Sequence, residues 1–145
     1  MTSSVPVVVD ASVALKWVLE ETGSSAARDV AASQVMIAPD LLLIESANVL
    51  TMRVRRGLLV AEDAALALDI LQSFPVRLMP TRPRVGRALA LSIELAQSTY
   101  DCLYLALALE QGARLITADE RFSAALKSRP AYSERVDLIG VSPAP

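Results

Sequence analysis

VPVVVDASVALKWVLEE, residues 5–21, decides how the rest of the chain is read. Val5–Val9 is a run of β-branched residues, the composition of a short strand, and Asp10 closes it. Ser12–Glu21 then carries the apolar spacing of a helix. A strand that passes through an acid into a helix is the opening of a parallel α/β unit. In open sheets of that kind ligands bind just beyond the carboxyl ends of the strands, which makes Asp10 a candidate functional residue. The alternative is that Asp10 or Ser12 only caps the helix that follows.

Working outward, Ser24–Ser33 reads as a second helix and Val35–Ala38 as a second strand. A long helix follows Pro39 and Asp40 and runs to about Arg56. Asp40 is its candidate N-cap, Arg53, Arg55 and Arg56 lie in its last turns, and Gly57 ends it. Ala61–Ser73 is helical, Val76–Met79 a strand, and Arg84–Ala96 helical. Tyr100–Gln111 is a helix closed by Gly112, Arg114–Thr117 a strand, Glu120–Lys127 a helix and Val136–Ile139 a last strand. The tail from about residue 141 is expected to be flexible. Short strands alternating with helices predict one α/β domain over residues 1–145, with a mainly parallel sheet covered on both faces. Strand order is not readable from this pattern.

At 145 residues, 53% hydrophobic and 21% charged, the chain is sized and composed for one buried core. The apolar content is high for a small soluble protein and suggests a subunit or partner interface. Glu45, Glu94 and Glu110 interrupt every apolar stretch that approaches the roughly 18 residues of a membrane span. The first ten residues lack the basic region of a secretory signal. A single cysteine permits no internal disulfide and fits a reducing, cytoplasmic setting. A net charge of −2 argues against nucleic-acid binding through a basic surface alone. The chain has no histidine. That absence removes the Ser-His-Asp and Cys-His arrangements, the usual zinc sites and any histidine base. Chemistry here must rest on carboxylates, hydroxyls, lysine, arginine or a cofactor.

Glu45 is the most informative acid. It shares a helical stripe with Leu41, Val49 and Met52, and its surroundings, LLLIESANVL, are apolar on nearly every side. An ionised carboxylate there costs several kcal/mol unless something compensates it. Asn48, one turn on, can join the same polar spot; a structural ion pair is the alternative. Asp101 opens a helix that is apolar all round, CLYLALALEQG, although Ser98–Asp101 also reads as a capping box. Asp119 follows the strand RLIT and is equally suited to an N-cap. Four carboxylates gathered at one sheet edge would repel, and hard divalent cations are the ordinary remedy. Oxygen-only ligation favours Mg²⁺ or Mn²⁺, and such a site suits phosphodiester hydrolysis.

VVVDASVALKWVLEE, PDLLLIESANVL and TYDCLYLALALEQGARLITADERF, in that order, resemble the PIN domain, particularly the VapC toxins of bacterial toxin–antitoxin pairs. The likeness runs from about Val7 to Phe122. It implies a three-layer α/β/α fold and an Mg²⁺-dependent endoribonuclease that is a homodimer and is silenced by a VapB-type antitoxin. By this resemblance Asp10, Glu45, Asp101 and Asp119 match the acidic quartet, and Ser12 and Thr117 match its polar supporting positions. Asp10 and Asp101 are then expected as direct metal ligands, with Glu45 and Asp119 completing the site.

The remaining features admit simpler readings. Arg53, Arg55 and Arg56 suit either RNA phosphates or a helix C-terminus. Arg82, Arg84 and Arg87 read as a solvated face, Trp17 and Cys102 as core. Two rival functions stay open. A phosphoryl-transfer domain with an aspartyl nucleophile fits poorly, because the first strand ends in DAS and no lysine follows a late strand. A non-catalytic interaction module is the other.

Overall fold

The computed structural model describes residues 5–140; the expected flexible tail at 141–145 lies outside them. Five strands form one sheet: β1 (Val7–Val9), β2 (Met36–Pro39), β3 (Val76–Met79), β4 (Arg114–Thr117) and β5 (Val136–Leu138). Their spatial order is β3-β2-β1-β4-β5 and every pairing is parallel. Parallel neighbours require crossovers, and eight helices supply them: α1 (Ala11–Val18), α2 (Ser24–Ser33), α3 (Leu41–Arg55), α4 (Ala61–Gln72), α5 (Val85–Leu95), α6 (Thr99–Gln111), α7 (Glu120–Ala125) and α8 (Pro130–Ser133).

The strand order and the hand of the crossovers fix the layers. From β1 the chain steps outward to β2 and β3, then returns across β1 to β4 and continues to β5. Right-handed connections therefore put α1–α4 on one face and α5–α8 on the other, which is the expected α/β/α sandwich. The direction reverses between β1 and β4. At such a switch point the loops leaving two adjacent strands diverge to opposite faces and leave a crevice between them. Asp10 follows β1 and Asp119 lies just beyond β4.

Burial follows the same logic. β1 is covered on both sides, with Val8 and Val9 fully buried, whereas the edge strands β3 and β5 are only partly covered. Every residue of α6 from Cys102 to Ala108 is buried, because this helix crosses β1, β2 and β4 beneath α5. Trp17 anchors the other face. Its ring stacks on Phe74 at 4.5 Å between centroids, and its indole N–H donates to the Ala27 carbonyl at 3.0 Å. This joins α1 to α2 and to the α4–β3 turn, and the residue is core as expected.

Three local features depart from the sequence reading. Helix α1 stops at Val18, three residues before Glu21, because Ser24 organises a turn there: its hydroxyl donates to the Leu19 carbonyl at 2.8 Å and accepts from the Glu21 amide at 3.0 Å. Asp40 stands at the start of α3 but does not cap it. Its Oδ1 accepts instead from the amide and hydroxyl of Thr81, tying α3 to the chain after β3. The one-turn helix α8 was not anticipated; Pro130 at its first position suits a helix start, but four residues carry no periodicity to read. Among the described residues no helix is long and apolar enough to cross a membrane.

Because Trp17 is 4% exposed and fills the joint between α1, α2 and β3, Trp17→Ala should lower the unfolding free energy by about 3–5 kcal/mol. Urea denaturation followed by far-ultraviolet circular dichroism measures this directly. A loss below about 1 kcal/mol would mean that the joint repacks without it.

Candidate active site

The acids are positioned by the elements around them. Asp10 leaves β1 in extended conformation, caps α1 through a hydrogen bond from the Val13 amide to Oδ1 (3.2 Å), and is only 8% exposed. Ser12 donates to the same oxygen at 2.5 Å, and the Thr117 hydroxyl donates to Oδ2. Ser12 also accepts from the Ala118 amide at 2.9 Å, and Thr117 from the Asp119 amide at 3.0 Å. Two hydroxyls thus clamp the end of β1 to the loop after β4. Burial raises the Asp10 carboxyl above its usual range; the Ser12 and Thr117 hydroxyls and the Val13 amide oppose this, while the Asp119 charge adds to it.

Asp119 caps α7 by accepting from the Phe122 amide at 3.0 Å. Ser98 caps α6 by accepting from the Tyr100 amide. Asp101 does not complete that capping box; among the described residues no hydrogen bond engages its carboxylate. Burial pushes it up to about 6, helped by the charges of Asp119 and Asp10. Glu45, in the second turn of α3, is pushed up to about 7, first by burial. The neighbouring Tyr104 hydroxyl works against that rise, and the charges of Asp10 and Asp101 add to it. Yet neither Glu45 Oε1 nor Tyr104 Oη, both buried, lies in hydrogen-bonding geometry with any protein group. Each is the other's polar neighbour, and neither has a second protein group to satisfy it.

The four acids line one cleft of about 330 Å³ together with Ser12. Thr117 lies behind Asp10, fully buried. Asn48 does not line this cleft; it is exposed and shares an adjoining outer groove with Glu45, Ile44 and Tyr100. With the side chains as they stand, no three described acid or cysteine side chains converge tightly enough to enclose a cation. The donor set still fits a hard divalent ion, since every candidate ligand is a carboxylate oxygen and Glu45 Oε1 is left unpartnered. Cys102 is fully buried, and its thiol is pushed up to about 11 by burial and by Asp101, so it is a packing residue.

Lys16, Glu21 and Arg53 line the same cleft. Of the three arginines that end α3, Arg53 alone faces it; Arg55 and Arg56 are exposed outside it. Arg84 pairs with Glu110 at 2.7 Å, away from the site. Lys16 was not anticipated, although it lies four residues after Ser12 on the same face of α1 and that spacing could have identified it. Glu21 had no such signal, because only the Ser24 turn brings it back over Lys16.

Residues 7–127 match the family model of the PIN domain. Ribonuclease VapC3 of Pyrobaculum aerophilum is 34% identical over 119 residues, which cover 80% of this chain and 91% of that protein. Among solved structures, VapC20 of Mycobacterium tuberculosis, described as a sarcin–ricin-loop-cleaving toxin, superposes with a TM-score of 0.62 at 23% identity, covering 82% of this chain and 94% of its own. PAE2754 of Pyrobaculum aerophilum superposes with a TM-score of 0.66, also at 23% identity, covering 85% and 81%. These two likenesses establish the fold. The family match over most of the chain, with the VapC3 relationship beside it, establishes the membership: this chain belongs to the PIN-domain family.

Proposed function

We propose that the chain is a divalent-metal-dependent endoribonuclease and the toxin of a VapB–VapC-type pair. The observation that carries the chemistry is the gathering of Asp10, Glu45, Asp101 and Asp119 around one cleft at the switch point of the sheet, with Asp10, Glu45 and Asp101 held toward neutrality by burial and by one another. Asp10 and Asp101 would bind Mg²⁺ or Mn²⁺ directly, and Glu45 and Asp119 would complete the site. The bound ion would lower the pKa of its water and offset charge on the phosphate and the leaving oxygen. Ser12 and Thr117 hold Asp10 in place. Glu45 and Asp119 would help to orient the attacking water. Asn48 supports the back of Glu45 in this reading. The aspartyl-nucleophile alternative gains nothing from the family match, which is to the PIN domain.

The partners follow from the relatives and from the surface. Leu66 and Ile70 of α4 share an exposed apolar groove with Val18 and Leu19 at the end of α1, a surface suited to the apolar segment of a VapB-type antitoxin. Val85, Leu89 and Ile93 recur every four residues along α5 at 49%, 54% and 75% exposure, a stripe suited to a homodimer.

Chelation should abolish cleavage of single-stranded RNA, and Mg²⁺ or Mn²⁺ should restore it. Asp10→Asn, which preserves the cap, should remove activity, and Ser12→Ala should lower it about 10–100-fold. Undiminished cleavage in excess EDTA by protein freed of contaminating nucleases would refute the mechanism. In sedimentation the purified chain should be a dimer that Ile93→Asp dissociates, and native purification should bring down a small second protein lost on Leu66→Asp. A monomer recovered alone would remove both partners from the proposal.

A further inference from the structure

One wall of the acidic cleft is cationic, built by Lys16 of α1 and Arg53 of α3. The Lys16 side chain is only 12% exposed. Its stem lies against Gly23 and Gly140, two residues with positive φ that pack directly on each other. A Cβ on Gly23 would fall 2.3 Å from the Gly140 Cα, and one on Gly140 would fall 3.1 Å from the Lys16 Cε. Two side-chain-free positions therefore form a slot for the lysine stem and aim its ammonium. Nζ donates to the Thr22 carbonyl at 2.6 Å and pairs with Glu21 Oε1 at 3.2 Å. The other oxygen of Glu21 pairs with Arg53 at 3.0 Å.

One carboxylate thus bridges two cations with its two oxygens, on the wall of a cleft otherwise lined by acids. That is how the two non-bridging oxygens of a phosphodiester would engage the same pair. A strand reaching the acids must bring further phosphates near them, and the chain as a whole is negatively charged. Glu21 lies on the short loop between α1 and α2, and partly exposed ion pairs such as these contribute little, so exchange for another anion is energetically easy. We propose that Lys16 and Arg53 form a subsite for a backbone phosphate of the substrate strand, and that Glu21 occupies it in the free protein. The subsite rests on the reading of the cleft as a ribonuclease site.

The test is equilibrium binding of a fluorescently labelled single-stranded oligoribonucleotide in Mg²⁺, with Asp101→Asn in every protein so that nothing is cleaved. Lys16→Met keeps the stem in its slot, and it and Arg53→Gln should each weaken binding about tenfold. Each should also make the dependence of log Kd on log salt shallower by about 0.7. Glu21→Gln should tighten binding roughly two- to fivefold, and Arg53→Lys should restore part of what Arg53→Gln loses. If the three residues only strap the loop to α3, all three substitutions will lower the melting temperature and leave RNA affinity and salt slope unchanged, which overturns the subsite. Absence of any RNA binding overturns it together with the nuclease reading. Metal-dependent cleavage by the wild type alongside unaltered binding in the variants overturns the subsite alone, and the predicted binding changes without cleavage by the wild type would leave it standing while the nuclease reading falls.

Discussion

Asp10 is held by three elements at once, and the arrangement of the site depends on that. The strand it ends is the central one, buried on both faces, so the carboxylate cannot turn away into solvent without dragging the core. One oxygen caps the helix that carries the chain onto one face of the sheet; the other takes the hydroxyl of Thr117 at the end of the neighbouring strand. That strand leads to the opposite face. The contact therefore spans the point where the two halves of the sandwich diverge, and it fixes the distance across which Asp119 and Asp101 face it. An acid buried in this way is costly, and the two hydroxyls and the amide reduce the cost without removing it.

A cap and a catalytic carboxylate are usually weighed as rival readings of a strand-end acid. Here Asp10 and Asp119 each cap a helix and also line the proposed site. At Asp10 the cap and the Ser12 hydroxyl engage one oxygen and Thr117 the other, while at Asp119 the cap engages Oδ1 alone, so the atoms that would meet a cation also fix the backbone. This explains why each acid taken alone was ambiguous in the sequence while the set was not. Glu45 differs, since it makes no cap and its burial serves no helix. A charged residue inside an apolar stripe was for that reason the clearest sequence signal of the site.

Most of the fold was legible because its punctuation is local. Gly57 and Gly112 end helices in left-handed conformation, and β-branched runs mark the buried strands. Most of what was not legible depends on contacts distant in sequence. The engagement of Asp40 is set by Thr81 and the strand order by the hand of long crossovers, while the end of α1 is set by a nearby serine turn that carries no periodicity. In the site, the four acids, Ser12 and Thr117 were readable from position and resemblance. Asn48, about 300° round α3 from Glu45 and therefore beside it, is exposed in the outer groove that Glu45 also lines. Glu21 and the aim of Lys16 were invisible, since both depend on a loop folding back and on two glycines far apart in the chain.

Near neutral pH this cluster of carboxylates should destabilise the fold until a divalent cation is present. Glu45, raised from 4.5 to about 7, and Asp101, raised from 3.8 to about 6, bind protons in the folded state that the unfolded chain has already released. Their contribution to stability is complete below the unfolded values and is lost as pH rises through the folded ones. Thermal melts of the wild type and Glu45→Gln at pH 5 and 7.5, in EDTA and in Mg²⁺, measure this most directly. The account predicts that the metal-free wild type melts lower at pH 7.5 than at pH 5, that Mg²⁺ recovers the difference, and that Glu45→Gln melts higher than the wild type in EDTA at pH 7.5. A metal-free wild type whose stability is flat or rises with pH over that interval, with Glu45→Gln melting lower whether or not Mg²⁺ is present, would make Glu45 half of a structural ion pair and contradict the account.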